Sequence, residues 1–315
     1  MEEPIKLGIS ACLLGNKVRY DGGHKLDPFL ADTLGLFVAY VPVCPEAECG
    51  LGIPREAMHL AGDPSAPRLV TVKTGIDHTD RMKAWARDRL DDLERESLCG
   101  FIFKSRSPSS GMERIKVHGA SGVTLNGVGI FARMFMDRFP LLPVEDEGRL
   151  HDPVLRENFI ERVFVMRRWR ECVNGGKTPA NLVRFHTAHK LLIMSHSVEA
   201  YRELGALVAA AGAKDRSGLF DTYLARLLPA LKLRATVKKH RNVLQHIAGY
   251  FKKDLASDEK AEIAETIDRY AAGYIPLVVP VTLLNHYVRK YDQTYLKGQV
   301  YLNPHPVELK LRNHA

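Results

Sequence analysis

The sequence has no long apolar run. Its longest, "YIPLVVPVTLL", is broken by Pro276 and Pro280 and is far shorter than the roughly 20 residues a membrane-spanning helix requires. "MEEPIKLGIS" at the N-terminus has no positive n-region and no apolar h-region before a small-residue cleavage site, so no secretory signal is read there. No internal repeat or low-complexity segment is found. These absences predict a cytoplasmic protein without membrane association, and no obligate protein partner is inferred. The 315 residues suffice for two domains. A hydrophobic share of 45% and a charged share of 26% fit soluble globular domains.

Cysteine is scarce. Cys12, Cys44, Cys49, Cys99 and Cys172 are odd in number and do not make a small secreted disulfide framework. In a reducing compartment such thiols are core filler, ligands or nucleophiles. Four of the five fall in the first third of the chain, which favours a site there. No His-Asp pair adjoins Cys12, although His24 lies in the same loop. Cys12, Cys44 and Cys49 match neither a zinc-ribbon pattern nor a ferredoxin run. Spacing alone leaves a metal or cluster site and buried structural cysteines open.

Charge is unevenly shared. Residues 1–150 hold 19 Lys and Arg against 21 Asp and Glu, a balance of −2, whereas residues 151–315 hold 26 against 16, a balance of +10. A basic second half suits a polyanionic partner, and a solvated basic surface is the plainer alternative.

The first half alternates strands and helices: strands in "IKLGISACL", "LFVAYVPVC" and "CGFIFK", helices in "TDRMKAWARDRLDDLERESL" and "GVGIFARMFMDRFP". In the first helix Met82, Trp85, Ala86, Leu90 and Leu93 recur near a spacing of 3.6, with Thr79 placed to cap it. This pattern predicts an α/β domain with a Rossmann-like parallel sheet. Ligands bind at the carboxyl ends of such strands. The loops after "GIS", "YVPV" and "FIFK" begin there and are expected to converge on one crevice. Prolines, a glycine and mixed charge place a boundary near residues 146–153, giving an α/β domain over residues 1–148 and a basic all-α domain over residues 153–315. Asp152 and Ser257 read as helix starts.

"ISACLLGNKVRYDGGHK", "VPVCPEAECGLGIPRE" and "KSRSPSSGMERIKV" resemble the three signatures of the thiouracil desulfurase family and together span most of residues 5–145. "FHTAHKLLIMSHS", "KKHRNVLQHIAGYFKK", "PLVVPVTLLNHYVRKY" and "QVYLNPHPVELKLRN" resemble a helical domain of unknown function often fused to it. The fused architecture is similar to bacterial tRNA 4-thiouridine desulfidases. The resemblance implies a 4Fe-4S cluster with three protein ligands and one open iron, which binds a soft thiocarbonyl sulfur as a Lewis acid while water replaces the sulfur without net redox change.

Carried over by position, the ligands fall on Cys12, Cys44 and Ser110, where the family usually has cysteine. Serine is a hard, high-pKa substitute for thiolate. Cys49 stands where the family commonly lacks cysteine, so the expectation is that the third ligand has moved from position 110 to Cys49. Ser110 itself, Cys99, and an inactivating change at 110 are the competing readings. The resemblance makes Glu46 the catalytic carboxylate and Ser107 an active-site serine. Their plain alternatives are a surface glutamate and a turn-capping serine. Arg19, Tyr20, Asp21, Lys104 and Arg114 are candidate substrate or phosphate contacts.

In "TVKKHRNVLQHIAGYFKK" an apolar stripe of Val237, His240, Leu244, Ile247, Ala248 and Phe251 opposes a polar face with Lys238, Asn242, Gln245, Lys252 and Lys253. Lys238, Lys239, Lys252 and Lys253 are expected to contact RNA. His186, His189, His196, His240 and His246 read as core or surface residues. The expected function is desulfuration of 4-thiouridine in tRNA to uridine with release of sulfide. Desulfuration of free thiouracil or thionucleosides, and a cluster-free RNA-binding protein, are the alternatives.

Overall fold

The computed structural model describes residues 4–120, 122–212 and 218–313. It divides into two compact units, with the break between Asp152 and Pro153. The first unit contains β1 (Ile5–Ser10), β2 (Val38–Val43), α1 (Pro45–Glu48), β3 (Met58–Ala61), β4 (Arg68–Thr71), α2 (Thr79–Arg95), β5 (Phe101–Phe103), β6 (Ile115–Gly119), β7 (Gly122–Gly127), α3 (Ile130–Arg138) and β8 (Val144–Asp146).

Strands β2, β1, β5 and β8 form a wholly parallel sheet in that order. It is the α/β arrangement expected from the alternating pattern. Phe101, Phe103, Phe131 and Phe135 bury their rings against it with Leu90 and Leu93 of α2. Full burial of each ring is worth about 1.5–3 kcal/mol. Gly8 is needed in β1, because a Cβ there would lie 2.2 Å from the Phe101 ring.

A second sheet, in the order β4, β3, β6 and β7, mixes antiparallel outer pairs with a parallel central pair. The sequence reading did not identify it. Strands β3 and β4 span four residues each among prolines and glycines, too few to set a period. Helix α2 is preceded by His78 as its N-cap, not capped by Thr79. The Thr79 hydroxyl instead accepts the Leu69 N–H at 2.8 Å and ties the helix to β4.

The second unit is helical: α4 (Pro153–Asn174), α5 (Pro179–His196), α6 (Val198–Ala209), α7 (Leu219–Lys232), α8 (Val237–Tyr250), α9 (Ser257–Ala271), α10 (Val278–Lys290) and the single-turn α11 (Thr294–Lys297). Ser257 is the first helical residue of α9, and Glu259 accepts the N–H of the capping residue Ala256 at 2.9 Å. Among the described residues no helix is long and apolar enough to cross a membrane.

The core of this unit contains polar groups in pairs. Glu161 accepts from His196 Nε2 at 2.6 Å and lies 3.5 Å from Arg312. His186 meets the Tyr223 hydroxyl at 2.9 Å, and His240 meets that of Tyr301 at 3.0 Å. His189 Nδ1 lies 2.7 Å from the Phe185 carbonyl. On α8, His240, Leu244 and Ile247 are buried as the stripe predicted, as is Phe251 just past its end, whereas Val237 at the helix start is exposed.

Candidate active site at the ends of the parallel strands

A crevice of about 1180 Å³ opens at the carboxyl ends of β1, β2, β5 and β8. All three loops expected to converge line it, and β8 adds a fourth through Asp146, Glu147 and Arg149. Cys12, Cys44, Glu46, Ser107 and Ser110 face this common space.

Cys12 sits in a short turn after β1, where Gly15 takes φ +89° and the Lys25 N–H donates to the Cys12 carbonyl at 2.9 Å. Cys44 ends β2 and caps α1, whose Pro45 occupies the first turn. The Cys44 N–H donates to Glu48 at 2.7 Å, and the Cys44 thiol donates to the Val18 carbonyl at 3.6 Å. Burial pushes the Cys12 thiol up to about 11, with Lys104 and Arg19 pulling against it and Cys44 adding to it. Burial also raises Cys44. Without a metal both are thiols at neutral pH, and a metal bound there must displace their protons.

Cys49 does not reach the crevice. It packs with Leu60, Leu69, Met82 and Ile115, and its thiol donates to the Glu46 carbonyl at 3.4 Å. Ser110 lines the crevice, whereas Cys49, the residue expected to supply the third ligand, is not among its lining residues. Cys99 is buried at the start of the β5 segment, and Cys172 lies in the second unit, where its thiol donates to the Asn181 carbonyl at 3.5 Å. Among the described residues no group of three or more His, Cys, Asp and Glu side chains is arranged to hold a metal ion. Of the positions carried over as ligands, Cys12 and Cys44 bring thiols and Ser110 a hydroxyl oxygen to a crevice that the carboxylates of Glu46, Asp146 and Glu147 also line. Thiols suit the iron of a cluster, and the crevice lining has no third thiol beside Cys12 and Cys44.

The third loop is anchored from behind. The N–H groups of Phe131 and Ala132 donate to the Ser109 carbonyl at 3.0 and 3.2 Å, and that of Ile130 to the Pro108 carbonyl at 3.2 Å. A Cβ on Gly129 would stand 2.6 Å from the Ser109 backbone, so only glycine permits this approach. Ser107 Oγ accepts N–H groups from Ser109 and Ser110 at 3.3 and 3.1 Å.

Glu46 is held on both oxygens. Arg55 donates to Oε2 from Nε at 3.0 Å and from Nη2 at 2.5 Å, and the Ser109 hydroxyl donates to Oε1 at 2.8 Å. A guanidinium fork of this kind fixes a carboxylate in position as well as charge. Gly50 and Gly52, at φ +83° and +76°, permit the reversal that returns Arg55 to Glu46. Lys104 pairs with Glu147, whose other oxygen accepts the Ser105 N–H at 2.6 Å. Arg55, Ser109 and Glu147 were not singled out from the sequence. Their roles depend on loop closure and on β8, and no spacing rule reports either.

Of the candidate contacts, Arg19, Tyr20, Lys104 and Arg114 line the crevice, whereas Asp21 does not; neither does His24 of the Cys12 loop. Asp21 accepts the Gly23 N–H at 3.0 Å, and His24 Nδ1 accepts that of Leu26 at 3.2 Å. In the second unit Lys238, Lys252 and Lys253 are exposed. Lys239 is committed within the chain: its Nζ donates to the carbonyls of His196 and Arg234 at 2.6 and 2.9 Å. Lys239, expected to contact RNA, has its cation at the carboxyl end of α5.

Comparison with known proteins bears on both units. The family model for 2-thiouracil desulfurase matches residues 7–147, and that for a protein of unknown function (DUF1722) matches residues 190–306. The chain is 31% identical over 153 residues to the uncharacterized protein YbgA of Escherichia coli (strain K12), covering 48% of this chain and 90% of YbgA. It is also similar to a solved structure of TudS, a 4Fe-4S-dependent thiouracil desulfidase, with 32% identity, a TM-score of 0.40, and coverage of 47% of this chain and 93% of that one.

Proposed function

Because the chain belongs to the 2-thiouracil desulfurase family through residues 7–147 and carries a DUF1722 region behind them, we propose that its crevice replaces the sulfur of a thiolated uracil with oxygen from water. The observation that carries this reading is the meeting of Cys12, Cys44 and Ser110 with Glu46 and Ser107 in one crevice. Cys12, Cys44 and the Ser110 oxygen would hold a 4Fe-4S cluster. Such a cluster supplies a Lewis-acidic iron toward the soft thiocarbonyl sulfur.

The chain's own groups do the rest. Glu46, fixed by Arg55, is the general base for water. Lys104 and Arg19 favour the thiolate form of Cys12. Backbone N–H groups of the anchored third loop hold Ser107.

Two substrates fit this chemistry. A free thiouracil is what the family's description names. A 4-thiouridine within tRNA is favoured by size: the crevice of about 1180 Å³ exceeds the roughly 300–1,000 Å³ of small-ligand sites. The +10 balance of residues 151–315 and the exposed Lys238, Lys252 and Lys253 also suit a polyanion.

Sulfide release from 2-thiouracil and from 4-thiouridine-containing tRNA, after anaerobic loading with iron and sulfide, separates the two. A tRNA enzyme loses activity as salt rises from 50 to about 200 mM and on Lys238→Glu with Lys252→Glu, and a free-base enzyme responds to neither. No release from either substrate would sink the desulfuration reading.

A further inference from the structure

Arg241, Gln245, Ala248 and Lys252 follow one another at steps of three or four residues, so they share one face of α8 and the turn behind it. Lys260, Ile263, Ala264, Ile267 and Asp268 share a face of α9 in the same way. Where the two faces meet, Ala248 and Ala264 are too short to fill the space, and a groove of about 300 Å³ is left between the helices. Its floor is apolar, with Leu255, Ile263 and Ile267 buried there.

The two ends of the groove differ in charge. At the end away from the turn, Arg241 donates to Asp268 at 2.7 Å and their charges cancel. At the turn, Lys252 and Lys260 bring two ammonium groups. Among the described residues neither makes an ion pair or a hydrogen bond, and no acid stands three or four residues from either one. The acids nearest to them in sequence are engaged elsewhere: Asp254 accepts from Gln293 at 2.9 Å, and Glu259 accepts from Lys290 and Tyr291 at 2.6 and 2.7 Å. Two unpaired cations beside an apolar floor suit a ligand with an anionic head and an apolar body. No aromatic ring lines the groove. A nucleobase therefore finds no stacking partner there, whereas leucine, isoleucine and alanine suit an alkyl chain. From Lys260 to Asp268 the helix rises about 12 Å, which an extended chain advancing about 1.2 Å per bond covers with about eight to ten carbons.

We propose that the groove between α8 and α9 is a binding site for a medium-chain alkanoate, its carboxylate held by Lys252 and Lys260 and its chain laid along Ile263, Ala264 and Ile267 toward Arg241. The site is independent of the desulfuration reading, because the groove lies wholly within the helical unit and shares no residue with the crevice.

Isothermal titration calorimetry of the full-length chain with hexanoate, octanoate, decanoate and dodecanoate, each below its micelle concentration, tests this. Saturable one-to-one binding is expected, tightening about fourfold per added methylene up to decanoate and levelling at dodecanoate. Octylammonium, of the same length as octanoate and opposite in charge, should not bind. Lys252→Glu with Lys260→Glu is expected to weaken octanoate by about tenfold. Ala264→Phe, at an exposed position, fills the groove and should remove the dependence on chain length. Far-UV circular dichroism and the melting temperature check that each variant folds as the parent does, and the chain series and the octylammonium control decide alone if one does not. No saturable binding of decanoate below about 1 mM, an affinity indifferent to chain length, or equal binding of octylammonium overturns the site. Decanoate binding untouched by both variants places the chain elsewhere and also overturns it. Dimerisation of the parent that Ala264→Phe abolishes would give the groove to a second copy instead, with the same result.

Discussion

Lowering the pH from 7 to 5 is expected to loosen the helical unit strongly. Burial lowers His186 from its ordinary 6.5 to about 4, and His189 and His240 to about 3. The unfolded chain takes up these protons below pH 6.5, whereas the folded chain stays neutral until pH 4 or 3. Stability therefore falls as pH drops through 6.5. At pH 5 each group has lost about 2 kcal/mol, from 1.5 pH units at 1.36 kcal/mol per unit, and the three together about 6 kcal/mol. That is comparable with the whole of a typical domain's 5–15 kcal/mol. Glu161 does not offset this: burial pushes it up, but His196 and Arg312 hold it below the usual carboxylate range, so it stays ionised at pH 5. Trp169 stacks on Tyr223 at 5.5 Å, and Tyr223 hydrogen-bonds His186, so its fluorescence reports this core. In full-length protein carrying Trp85→Phe, the urea midpoint followed at Trp169 should drop steeply between pH 7 and pH 5. A midpoint that stays level or rises would refute the reasoning.

Arg55→Gln removes the fork on Glu46 Oε2 and is expected to cut sulfide release by about 10–10²-fold; unchanged kcat would contradict the positioning role. Cys49→Ser should leave iron uptake as it is, whereas Ser110→Cys should increase iron retention after gel filtration, because thiolate outbinds a serine oxygen at iron. Loss of iron in Cys49→Ser would reinstate that thiol as a ligand. Cys12, raised to about 11 in the metal-free chain, should react with iodoacetamide about tenfold faster for each pH unit between 7 and 10. A flat profile by peptide mass spectrometry would show that the thiol is already ionised.

Where local pattern reflects local physics, the sequence was legible. The apolar period of Met82, Ala86, Leu90 and Leu93 places the buried face of α2, and the three strand-end loops do converge, since a parallel sheet aligns its carboxyl ends. Long-range closure was not legible. Cys49 stands five residues from Cys44, yet a helical turn and Gly50 turn its sulfur into the Leu60 and Leu69 cluster rather than the crevice. Lys239 lies among basic neighbours, but the α5 terminus that claims its ammonium group is 43 residues earlier. The Glu46–Ser109 bond joins loops 63 residues apart. The small sheet of β3, β4, β6 and β7 escaped notice because its shortest strands carry too few residues to show alternation.

The central claim is that Cys12 and Cys44, with Ser110 beside them, form a desulfuration centre. Its most direct test is anaerobic loading with iron and sulfide, followed by iron and labile-sulfide content and sulfide release from 2-thiouracil, in the parent, in Cys12→Ser with Cys44→Ser, and in Ser110→Cys. The account predicts a cluster and sulfide release in the parent, neither in the double variant, and a better retained cluster in Ser110→Cys. A parent that takes up no iron and releases no sulfide, or a double variant that does both, would contradict it.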